Sequence, residues 1–145
     1  MYYKPDHFEL YELVPKYAYQ HIPHDYLWGL WDSRVLWTQE QLRLRYGKMV
    51  CNTWKWGGIC QYRGYRPPRC KQGAIYSQHR FFGAIDSIPM EVTAEEIRQD
   101  IIQAKEGFCI SYADQIFQHI TCIEGNVGWL HFDSRNYNGL LVVYP

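Results

Sequence analysis

Residues 120–144 read ITCIEGNVGWLHFDSRNYNGLLVVY, and their pattern decides the fold class. β-branched and aromatic residues gather in three short runs, 120–124, 129–133 and 140–144, parted by Gly125 and Asn126 and by the segment 136–139. Such runs, bounded by Gly and Asn, read as antiparallel strands joined by turns. Within 129–133 the period of two puts Trp129, His131 and Asp133 on one face and Leu130 and Phe132 on the other. One face suits a core and the other suits chemistry.

Upstream the pattern turns helical. Thr93 and Glu96 stand in capping-box spacing, and Ala94, Ile97, Ile101 and Ala104 form one apolar stripe that ends near Gly107. A second helix is expected over 38–46, opened by Thr38 and Gln41 and stopped by Gly47. A strand is expected over 48–53, and 60–68 is irregular and rich in Gly and Pro. Residues 1–35, punctuated by Pro15 and Pro23, read as an amino-terminal arm with short helical turns. Helices first and strands last predict an α+β domain with a central antiparallel sheet and flanking helices. No internal repeat or low-complexity linker interrupts it.

The 145 residues suffice for one core, so a single domain is expected over 1–145. Fifteen basic residues balance fifteen acidic ones, which leaves none of the electrostatic footprint that nucleic acid or an anionic membrane surface requires. Cys51, Cys60, Cys70, Cys109 and Cys122 are an odd set without zinc-ribbon spacing and read as buried free thiols. Lys4, Asp6, Glu9 and Glu12 precede any long apolar run, and no stretch reaches membrane-spanning length. Cytoplasmic synthesis without a signal peptide is the expectation.

The chemistry-bearing segments are 77–86 and 128–133. In the first, His79 and Asp86 lie seven apart, and both are zinc-ligand types. With His131 from the second they make two nitrogen ligands and one carboxylate, leaving a fourth tetrahedral position open, the layout of a catalytic zinc. Either histidine by itself reads more often as a hydrogen-bonded structural residue. His21 and His24 are separated by Pro23, and His119 has no evident partner, so these read as structural or surface residues. Trp54, Trp56, Tyr62 and Tyr65 suit a sugar or peptide groove and suit a core equally well.

Three blocks occur in order: Arg63-Gly64-Tyr65-Arg66-Pro67, then Ser77-x-His79 with Asp86, then Trp129-x-His131-x-Asp133. Together they resemble the zinc D-alanyl-D-alanine carboxypeptidases and L-alanyl-D-glutamate endopeptidases of bacterial peptidoglycan, most closely the bacteriophage-encoded members. Weaker similarity runs from residues 8–15 through Asn52-Thr53-Trp54 and Gly57-Gly58 to residues 94–98. The resemblance implies Zn2+ held by His79, Asp86 and His131, with Arg66 polarising the scissile carbonyl or gripping a substrate carboxylate. It places Ser77 and Trp129 at the substrate. The implied activity is hydrolysis of an amide in cell-wall peptides, by a lysis enzyme or a virion component carried with other virion proteins. Two positions depart from the family pattern. Phe82 stands where a glycine is usual, and Gly128 stands where many members carry an acidic general base. Glu124, across the expected hairpin, is the first candidate for that base and Asp133 the reserve. Without a base, the alternative is a non-catalytic wall-binding or virion structural protein that keeps the fold.

Overall fold

The computed structural model describes residues 2–107 and 111–145. Four helices come first: α1 (Leu10–Leu13), α2 (Lys16–His21), α3 (His24–Leu30) and α4 (Ser33–Tyr46). Pro15 and Pro23 sit at the N-caps of α2 and α3, where the absent N–H breaks no intrahelical hydrogen bond. These turns bury Leu10, Leu13, Val14, Leu27 and Trp28 in the common core.

The longest helix starts earlier than its Thr38–Gln41 spacing predicts. Asp32 is the N-cap, its carboxylate accepting from the Arg34 N–H at 3.0 Å and from the Ser134 hydroxyl at 2.7 Å. Thr38 is fully buried inside α4, and its Oγ1 has no partner among the described residues. The second capping box forms as the sequence predicts: Thr93 and Glu96 exchange both hydrogen bonds and open α5 (Ala94–Glu106).

The strands are β1 (Met49–Val50), β2 (Ala84–Pro89), β3 (Cys122–Glu124), β4 (Leu130–Asp133) and β5 (Leu141–Val143), in the order β1-β2-β4-β3-β5. The fold is α+β with a mostly antiparallel sheet. One pairing differs from the meander expected of the last third. Both edges of β4 are taken, by β2 and β3, so β5 adds to the free edge of β3 and runs parallel to it. Expected strands shrink at their ends: only Met49–Val50 of 48–53 pairs, because Asn52 turns away to bond Val14 through its amide.

Leu130 and Phe132 face the core beneath α5, whose Ile97 and Ile101 are fully buried. Cys51 and Cys122 are buried, whereas Cys60 and Cys70 are partly exposed, so burial holds for only part of the cysteine set. Cys109 lies outside the described residues. No helix among them is long and apolar enough to cross a membrane.

Candidate metal centre

The sheet register assembles the site. Asp86 on β2 stands directly opposite His131 on β4, an antiparallel pair whose side chains share a face. His79 comes from a 3-10 turn, Gln78–Phe81, that leads into β2. All three side chains are buried, and among the described residues they are the one group of three or more His, Cys, Asp or Glu able to hold a metal ion.

Each imidazole is turned by a bond on its far side. His79 Nδ1 donates to the Gly64 carbonyl at 2.7 Å, which frees Nε2 for the cluster. His131 Nε2 donates to Asp133 Oδ2 at 3.1 Å, which turns Nδ1 toward Asp86 and His79. A carboxylate or carbonyl behind the ring is the usual support of a metal-binding histidine. The free atoms converge: His79 Nε2 lies 3.3 Å from His131 Nδ1 and 3.2 Å from Asp86 Oδ1. Donors about 2.0–2.1 Å from a tetrahedral zinc would lie roughly 3.3–3.4 Å apart, so two edges of the triangle fit. The third, His131 Nδ1 to Asp86 Oδ1, is closed to 2.7 Å because the imidazolium Nδ1–H donates to the carboxylate, a proton that a bound metal would displace. Mixed nitrogen and oxygen donors suit zinc and not a hard alkaline-earth cation.

The electrostatics agree. Burial pushes the Asp86 carboxyl up, but His79 and His131 outweigh it and hold it well below the usual carboxylate range. Burial alone would depress His131, yet its bonds to Asp133 and Asp86 push it up to about 9. Asp133, despite burial, is drawn down to about 2 by Arg135 and His131. Two ionised carboxylates, Asp86 and Asp133, thus flank His131 and favour positive charge between them.

Gly64 explains how the segment 63–66 comes so close. Its carbonyl holds His79, and a side chain there would collide with the backbone of Leu13, whose carbonyl accepts the Tyr65 N–H at 2.8 Å. Arg66 donates Nη2 to Asp86 Oδ2 at 2.7 Å and Nε to the Tyr62 carbonyl at 2.7 Å. Arg66, Asp86 and Trp129 line one open cleft of about 330 Å³. Trp129 donates its indole N–H to Glu124 Oε2 at 3.0 Å, and Glu124 Oε1 lies 3.9 Å from His131 Nδ1. Glu124 therefore borders the cluster. Asp133 does not, since it sits fully buried behind the His131 ring and pairs with Arg135. Ser77 precedes the His79 turn without capping it through its side chain. His24 bonds the Tyr19 carbonyl, His21 packs on Tyr17 and His119 on Trp37.

Two arginines that sequence reading passed over hold the site in place. Arg80 donates to the carbonyls of Pro67, Pro68, Cys70 and Ala74, tying the irregular loop to the His79 turn. Arg98, on α5 and buried, donates to the carbonyls of Val127 and Trp129 and so clamps the loop before His131. Arg98 interrupts the apolar face of α5, and that interruption is its only local signal.

Phe82 adopts the left-handed conformation itself, with φ 56° and ψ 27°. Its ring compensates by stacking on Tyr65, centroids 4.0 Å apart and planes within 7°, and by meeting Trp31 edge-on. Strain of about 1–2 kcal/mol is thus retained beneath a larger packing gain. Phe82→Ala keeps the strain and loses the packing, an expected cost of about 3–5 kcal/mol. Phe82→Gly loses the same packing without the strain and should unfold about 1 kcal/mol less readily than the alanine variant. Urea titration of both variants checks this, and a glycine variant no more stable than the alanine one would contradict it.

Scanned against protein-family models, curated proteins and solved structures, the chain matches none; what stands is a buried His-Asp-His cluster, able to hold a metal ion, in an α+β domain.

Proposed function

We propose that this chain is a zinc-dependent peptidase that hydrolyses an amide bond in the short peptides of bacterial cell walls, in phage lysis or entry. The observation that carries the reading is the convergence of His79 Nε2, His131 Nδ1 and Asp86 Oδ1 beside a cleft lined by Arg66 and Trp129, with Glu124 Oε1 3.9 Å from His131 Nδ1. Structural zinc sites use four protein ligands, whereas three ligands beside a solvent cleft leave room for substrate. Zinc, when bound, would acidify water and polarise the scissile carbonyl.

The chain's own groups divide the remaining work. Glu124, fixed by the Trp129 indole, is placed to take a proton from the attacking water and return it to the leaving nitrogen. Arg66 is held by two of its nitrogens, and its Nη1 occupies the space a side chain at Gly73 would need. That guanidinium is fixed at the cleft wall, where it can stabilise charge developing on the carbonyl oxygen. Asp133 orients His131, and Trp129 offers a half-exposed ring for substrate. Ser77 keeps its assignment to substrate on the resemblance.

The non-catalytic reading rests on Gly128, around which a Cβ would meet nothing within 4 Å. Glu124 answers it by supplying a carboxylate from the neighbouring strand.

Purified chain supplemented with zinc is expected to bind one equivalent and to release free amino or carboxyl groups from cell walls. A chelator should abolish release, and zinc should restore it. Stoichiometric zinc without release would favour the binding protein, and no zinc uptake would end the peptidase reading.

A further inference from the structure

Arg135, just beyond the end of β4, takes no part in the chemistry proposed above. Its backbone N–H donates to Asp133 Oδ1 at 3.2 Å, its Nε to the same oxygen at 2.8 Å and its Nη2 to Oδ2 at 2.5 Å. Nε and Nη2 form the parallel edge of the guanidinium, so the carboxylate is gripped side-on and its plane is set. The arginine is anchored in turn, because its carbonyl accepts from the Thr121 hydroxyl at 2.7 Å. The Asp133 side chain is fully buried, whereas that of Arg135 is 32% exposed. Asp133 Oδ2 also accepts from His131 Nε2 at 3.1 Å, so one carboxylate joins this arginine to a metal ligand.

Each carboxylate beside His131 therefore carries an arginine: Arg66 on Asp86 and Arg135 on Asp133. The torsion that turns a carboxylate about its stem is soft, and an imidazole whose supporting acceptor turns away loses its fixed direction. We infer that Arg135 is a positioning residue of the metal centre, holding the Asp133 carboxylate so that His131 Nδ1 stays aimed at the ion. This inference rests on the metal-binding part of the peptidase reading and is independent of which bond is cut.

Zinc affinity of the full chain, measured by competition with a chromogenic chelator, should fall by about tenfold or more in Arg135→Gln. Arg135→Lys keeps the charge and loses the fork, so its affinity should lie between those of the parent and the glutamine variant. The decisive comparison is made in Asp133→Asn. There the carboxylate is gone, and adding Arg135→Gln should change zinc affinity by less than about twofold, because the arginine acts through that carboxylate. A merely structural role would lower the melting temperature of the metal-free chain and leave the zinc affinity of the folded chain unchanged. The visible spectrum of the chain saturated with cobalt gives a second readout, since its bands follow ligand geometry, and Arg135→Gln should differ there from the parent.

Parental zinc affinity in folded Arg135→Gln overturns the inference, and so does a loss that is equally large in the Asp133→Asn background. Should the glutamine variant fail to fold, parental affinity in Arg135→Lys has the same force. The two readings fail separately. Zinc affinity that depends on Arg135, in a chain that cleaves no cell wall, would retain the positioning role and remove the peptidase. Wall cleavage with a zinc affinity indifferent to Arg135 would do the reverse, and a parent that takes up no zinc would remove both.

Discussion

Replacing His131 with alanine is expected to remove zinc binding while leaving the chain folded. His131 supplies one of three converging donor atoms, and the remaining His79 and Asp86 make a two-ligand site that water competes with easily. The fold should survive because the buried charge that is left behind, Asp86, keeps its bidentate neighbourhood: Arg66 at 2.7 Å on one oxygen and His79 at 3.2 Å on the other. Leu130 and Phe132, which carry the core contacts of β4, are untouched. Asp133→Asn gives the graded comparison. An asparagine oxygen can still accept from His131 Nε2, so the ring keeps its orientation with a weaker partner, and zinc affinity should fall by roughly 10–100-fold. The alanine variant must exceed that loss. Metal analysis after dialysis against zinc, with circular dichroism as the fold control, decides the matter. Full zinc occupancy in folded His131→Ala would remove the assignment of the ligand set.

The features legible in the sequence were those written within a few residues of one another. Thr93 and Glu96 announce the start of α5 because a capping box is a local exchange of hydrogen bonds. Trp129, Leu130, His131, Phe132 and Asp133 sort into two faces because strand alternation is local. Thr38 and Gln41 mimic the same capping signal and mislead, since what fixes the start of α4 is Asp32 held by Ser134 from the far end of the chain. The register that sets Asp86 opposite His131 is likewise long-range, and so are the clamps of Arg80 and Arg98 on carbonyls that any residue type supplies. Acceptors on the backbone leave no trace in side-chain identity. The parallel addition of β5 escaped for a related reason: it depends on which strand edges are already occupied, and that is a property of the finished sheet.

Phe82 holds a backbone conformation that glycine usually supplies. A glycine position usually marks a positive φ, and the residue here takes that φ regardless, its cost offset by the stack on Tyr65. The ring joins the segment that carries Arg66 to the turn that carries His79. The residue that strains the turn therefore ties two parts of the site together.

Glu124→Gln is expected to leave zinc bound and to reduce hydrolysis by about 10²–10⁴-fold, the usual effect of losing a general base. Register places the residue: with Ile123 opposite Phe132 in the β3–β4 pair, Glu124 falls beside His131, and its Oε1 reaches to 3.9 Å from the Nδ1 atom. The carboxylate is partly exposed, so it borders the cluster and keeps contact with solvent. Glutamine preserves the shape and can still accept the Trp129 indole N–H that fixes this side chain at 3.0 Å, so Trp129 and the loop behind it should stay in place. What glutamine cannot do is take a proton. The loss should therefore appear in kcat, with binding of the peptide nearly unchanged. Asp133→Asn separates this role from mere proximity to His131, because Asp133 bonds the opposite side of the ring and is fully buried. Its loss of activity should follow its loss of zinc and be recovered at high zinc concentration, whereas that of Glu124→Gln should not. Parental turnover by zinc-loaded Glu124→Gln would assign the base elsewhere.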